Sequence, residues 1–140
     1  RIDLRSGGPI LLVPGVKFVS LQYGSAGPQI ATVSRELGVS IVEDPEIDQL
    51  RDIDGFVAQV AAMDHVVTVS STAAHIAGAL GKPATVLLPA ARGLKWHWMV
   101  GRPDSPWYPS LTLLRQSEPG RWTDVIETCA TRLAERRVHP

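Results

Sequence analysis

The sequence predicts an α/β domain built on a doubly wound parallel sheet. Apolar, β-branched runs alternate with helix-compatible stretches along the chain, the pattern of strands joined by helical crossovers. The stretch Asp64–Pro89 (DHVVTVSSTAAHIAGALGKPATVLLP) reads as one complete βαβ unit. The 140 residues, 44% apolar and 20% charged, suit an ordinary folded domain with one core. About five strands are expected, in the order 2-1-3-4-5, with right-handed crossovers.

The first fifteen residues, RIDLRSGGPILLVPG, are rich in Gly and Pro and read as a linker or lead-in segment; residues 16–140 form the domain. Val16–Leu21 is the first strand candidate, and it runs into the polar turn Ser20-Leu21-Gln22-Tyr23-Gly24. Pro28 then opens a helix with a stripe of Ile30, Val33 and Leu37, and Gly38 closes it. Val39–Val42 is a short strand, followed by an acidic loop. Asp54 is placed to cap the next helix, whose inner face is Phe56, Val57, Val60 and Met63.

In the βαβ unit the run His65–Val69 ends in three hydroxyl residues, Ser70, Ser71 and Thr72. A helix of small residues follows, stopped by Gly81 and Pro83, and then the strand Ala84–Leu88. A helix start of this kind offers unpaired N–H groups and the positive end of the helix dipole, which together suit an anion. A plainer role for Ser71 or Thr72 is to cap the helix. His75 lies in the first turn, and helical side chains lean toward the N-terminus, so its imidazole can face the same place.

Residues 90–110 hold three of the four tryptophans and form a long connection, of the kind that is usually functional. Trp96, Trp98 and Trp107 either pack this loop or stack on a sugar or base. Leu111–Leu114 is the last strand, and Trp122–Arg137 is a helix with the stripe Val125, Ile126, Cys129, Ala130 and Leu133. In a sheet of this order the ligand crevice lies beyond the carboxyl ends of strands 1 and 3, between Ser20–Gly24 and Ser70–Thr72.

Charge is balanced, with 14 basic and 14 acidic residues, so no nucleic-acid or membrane partner is expected. Cys129 is the single cysteine, which excludes a disulfide framework and suits a reducing, cytoplasmic compartment. No apolar run is long enough to span a bilayer. The histidines His65, His97 and His139 lack metal-ligand spacing, so no metal is expected. No G-x-G-x-x-G follows the first strand, and no G-x-S-x-G elbow supports a serine hydrolase. The chain opens on Arg1 instead of Met and is read as a piece of something longer.

Three motifs in order carry a resemblance: Phe18-Val19-Ser20-Leu21-Gln22, the run Val67–Pro83, and Asp104-Ser105-Pro106-Trp107-Tyr108-Pro109. They resemble heptosyltransferase-like glycosyltransferases (glycosyltransferase family 9-like), above all the transferase module found behind tetratricopeptide repeats in bacterial proteins. The likeness runs from about Val16 to Arg115. It implies one Rossmann-like half of a GT-B fold, the C-terminal, donor-binding half of a metal-independent inverting glycosyltransferase. The donor would be a nucleotide-diphospho-sugar, with no other cofactor. The resemblance places its phosphates near Ser71, Thr72 and His75, a further contact at Gln22, and the nucleoside near Asp54; the neighbouring Ser70 is counted among the donor-binding candidates. Catalytic residues are not assigned.

The implied partners are an acceptor-binding domain that would precede this chain, and tetratricopeptide repeats. Without that acceptor domain the chain is expected to transfer no sugar. Ile10–Val13 and the three loop tryptophans are expected to be apolar surface that the absent domain would cover. Two departures stand out. Ser70 occupies a position where the family usually has an acidic residue, and Lys95 precedes Trp96 where an acidic residue is frequent. They support an alternative, a degenerate, non-catalytic module used for binding or scaffolding.

Overall fold

The computed structural model describes residues 2–90 and 95–138, the last two by backbone alone. His139 therefore lies outside the described residues. The chain divides into two compact units: Arg1–Phe56 with Ile126–Pro140, and Val57–Val125.

In the first unit a 3-10 turn, Leu4–Gly7, leads into a short helix α1, Gly8–Leu11. Asp3 starts this segment by accepting the Arg5 N–H, and Pro9 stands at the helix start, where its missing N–H does no harm. Helix α2, Gly27–Leu37, has Pro28 in its first turn and ends on Gly38, whose φ of 66° is the left-handed stop expected of it. Two polar contacts tie the lead-in segment to α2: Gln29 donates to Asp3 at 2.7 Å, and Arg5 pairs with Glu36 at 2.9 Å. Ile10, Leu11 and Val13 are buried, and of that stretch only Leu12 is exposed. The expectation that Ile10–Val13 forms an uncovered apolar surface is thus corrected. The run packs because α1 turns Ile10 and Leu11 inward and Val13, just past the helix, is buried with them.

Strands β1, Phe18–Val19, and β2, Ile41–Val42, pair in parallel over two residues each. Helix α3, Ile53–Ala61, follows. Its cap is Asp52, whose carboxylate accepts the Gly55 N–H at 2.8 Å. Asp54, expected to be the cap, instead lies one residue inside the first turn. Phe56 and Val60 are buried as expected of the inner face.

In the second unit β3, Val66–Val69, helix α4, Thr72–Ala79, and β4, Ala84–Leu88, form the predicted βαβ unit. Strand β5, Leu111–Arg115, joins the other side of β4, and both pairings are parallel. Strand β4 is buried throughout, as the centre of a covered parallel sheet should be. Helix α5, Thr123–Val138, begins in this unit and from Ile126 on belongs to the first; it buries Val125, Ile126 and Cys129.

The α/β class and the parallel pairing are therefore as the sequence predicts. The single sheet of order 2-1-3-4-5 is not. Among the described residues the ladders are β1-β2 and β3-β4-β5, and none joins β1 to β3. The physical reason is length: Pro14-Gly15 before β1 and Pro45 after β2 leave two paired residues in each, extended by one bond from the Ser20 N–H to the Val42 carbonyl.

Candidate functional site

All three strands of the second sheet run parallel, so the residues after β3, β4 and β5 emerge at one edge. Helix α4 starts there. Ser71 holds the cap position with extended backbone, φ −143°, but makes no side-chain cap. Its hydroxyl is bonded to that of Thr68 at 2.8 Å instead. Thr72 begins the helix and is exposed. The first turn thus keeps N–H groups that no side chain of the cap residue takes up, which is the condition for an anion to bind there.

His75 lies one turn further on. Its Nδ1 faces the Tyr108 hydroxyl at 3.2 Å, so Nε2 is the nitrogen left for a ligand. Gly78 makes this contact possible. A Cβ at that position would run into the Tyr108 ring, so the absence of a side chain lets the ring lie on α4 one turn after His75. Tyr108 is set in place from the other side too, since Ser105, which is buried, accepts the backbone N–H groups of both Trp107 and Tyr108 at 3.2 Å.

The tryptophan loop adds a wall of rings. Trp98 is 1% exposed and stacks on His75, with centroids 5.3 Å apart and planes at 25°. Its indole N–H donates to Ser70 Oγ at 2.8 Å. His97 stands edge-on to both Trp98 and His75, at 4.8 and 5.0 Å. Burial first, then the nearby His75 and Lys95 charges, hold the His97 imidazole below its ordinary range, so its neutral form is favoured. Trp96 and Trp107 are exposed, with rings 6.1 Å apart and nearly perpendicular. Of the surface tryptophans that were expected, these two are outside and Trp98 is inside.

Four of the six residues expected at the site, Ser70, Ser71, Thr72 and His75, meet at this edge. Gln22 and Asp54 belong to the first unit. There the Gln22 N–H is bonded to Ser20 Oγ at 3.3 Å, and Asp54 sits exposed in the first turn of α3. Tyr108, Ser105 and Arg115 are parts of the second unit's cluster that sequence reasoning did not single out. For Arg115 a signal existed: it is the last residue of a parallel strand, on the side where such sheets bind ligands. Among the described residues no group of His, Cys, Asp and Glu could hold a metal, and no helix is long and apolar enough to cross a membrane.

A curated relative aligns with most of this chain. Protein FlbA of Caulobacter vibrioides is 36% identical over 127 residues, 91% of this chain but 21% of FlbA. The chain therefore spans about a fifth of the length of that relative. No family model matches the chain, and no solved structure matches it.

Proposed function

We propose that the chain is the donor-binding domain of a metal-independent, inverting glycosyltransferase, one half of a GT-B enzyme acting in the cytoplasm on a nucleotide-diphospho-sugar. The observation that carries this reading is the helix mouth of α4. Its cap residue leaves the first-turn amides open, and His75 on the same helix engages Tyr108 through Nδ1, which leaves Nε2 for a ligand. Such a mouth stabilises the diphosphate that leaves as the sugar is transferred, using amides and a hydrogen-bonding imidazole in place of a metal. The general base would come from an acceptor-binding domain. Gln22 and Asp54, in the first unit, remain expectations of the resemblance alone, and tetratricopeptide repeats are proposed as neighbours in a longer protein.

A second reading is a degenerate module that binds without catalysis, and one contact favours it. Ser70, which stands where the resembling family usually has an acidic residue, spends its hydroxyl on the Trp98 indole and so holds the loop. A thermal-shift survey with ADP, GDP, UDP and CDP and their sugar conjugates tests the donor reading, because a ligand that binds only the folded form raises the melting temperature. A shift with a nucleoside diphosphate supports it. No shift with any of them rejects it in favour of scaffolding.

A further inference from the structure

Arg115 ends β5 at the same edge of the sheet as Ser70 and the start of α4. Its Nη2 donates to the Trp98 carbonyl, and the Trp98 indole is held in turn by Ser70. The other two guanidinium nitrogens, Nε and Nη1, are closed off from solvent and have no hydrogen-bond partner among the described residues. None of the ion pairs among the described residues involves Arg115.

This is an expensive arrangement for a side chain that only props up a loop. Bonding one carbonyl needs a single N–H and no charge. A guanidinium brings five donors and a permanent charge, and burying these without an acceptor opposes folding. Burial accordingly holds its pKa below the ordinary range. The residue as a whole keeps some exposure, so a turn of the side chain is what would bring the two sealed nitrogens to a ligand. The surplus donors and the uncompensated charge make sense together if the missing partner is an anion.

We propose that Arg115 is a further binding residue of this site, donating to a diphosphate group held between it and the mouth of α4. This rests on the donor-binding reading above and deepens it. Arg115 would add a fixed positive charge to what the helix mouth and the His75 imidazole offer, and its planar fork matches phosphate oxygens.

The test is calorimetric titration with inorganic pyrophosphate of the wild type, Arg115→Met and Arg115→Lys. Arg115→Met should bind at least about tenfold more weakly, the loss of a charge-assisted hydrogen bond, and Arg115→Lys should recover part of that. Equal affinity in all three chains, or no binding to the wild type, overturns the inference. A loose Trp98 loop would lower the melting temperature of both variants without separating Lys from Met. Should Arg115→Met not fold, Arg115→Lys against the wild type gives the answer: weaker pyrophosphate binding is expected, and equal affinity overturns the proposal. Pyrophosphate binding that depends on Arg115, with no response to any nucleotide, would support the inference and reject the donor reading. Nucleotide binding indifferent to Arg115→Met would do the reverse.

Discussion

The two sheets differ in how much of their sequence they use. The β3-β4-β5 ladder pairs four and five residues, and its central strand is wholly buried. The β1-β2 ladder pairs two residues, and Val42 on it is 37% exposed. Both are parallel, and both lie beside helices with clean start and stop signals. The difference teaches that strand length decides which ladder can carry a core. A parallel strand covered on both faces gains from every residue, whereas a two-residue pair has little to bury.

The largest expected effect is on stability. Leu88→Ala, at a fully buried position in β4, should destabilise by about 2–5 kcal/mol, and Val42→Ala by less than about 0.5 kcal/mol. Urea denaturation of both variants checks this, and comparable losses would break the contrast between the ladders.

The two regions should also respond to pH in opposite directions. Cys129, in the first unit, is buried, and its thiol is pushed up to about 11. The unfolded thiol ionises first, so its contribution is present at neutral pH and is lost as pH rises from 9 to about 11. The full loss is roughly 3 kcal/mol. Cys129→Ala should flatten that alkaline slope. His97, in the second unit, is depressed, so its contribution is full above the ordinary histidine pKa and is lost as pH falls through its folded value. His97→Gln should flatten the acid side. A slope unchanged by its own substitution would remove that group from the account.

At the helix mouth, His75→Ala should weaken a nucleoside diphosphate by about ten- to a hundredfold, the effect of a hydrogen bond to a charged group, and leave the bare nucleoside nearly unchanged. Equal losses for both ligands in calorimetry would reduce His75 to a support for Trp98 and Tyr108. The smallest effect concerns caps. Asp52→Ala should cost about 1 kcal/mol and Asp54→Ala far less, read as a difference in denaturation midpoint. Reversed values would restore Asp54 as the cap.

Much of this was legible in the sequence wherever a signal was local. The β-branched run before Ser70, the Pro28 start and Gly38 stop of α2, and Gly81 after α4 each fix a backbone geometry within a few residues. The lead-in segment misled because Gly7, Gly8 and Pro9 suggest a linker, while Asp3 and the contacts to α2 make it a folded turn. Asp52 and Asp54 both stand at a plausible helix start, and only the N–H of Gly55 chooses between them. The pairing of His75 with Tyr108 spans 33 positions and depends on an empty space at Gly78, which no local pattern records.

Trp98 has a use apart from binding. It is the sealed tryptophan of its loop, lying flat against His75, while Trp96 and Trp107 meet water. A sealed indole emits at shorter wavelength than a wet one, and an imidazolium stacked on it quenches its light. The blue edge of the emission spectrum therefore watches the two imidazoles, His75 and His97, that lie against Trp98. The chain carries its own optical gauge at the helix mouth, readable without a label or a mutation.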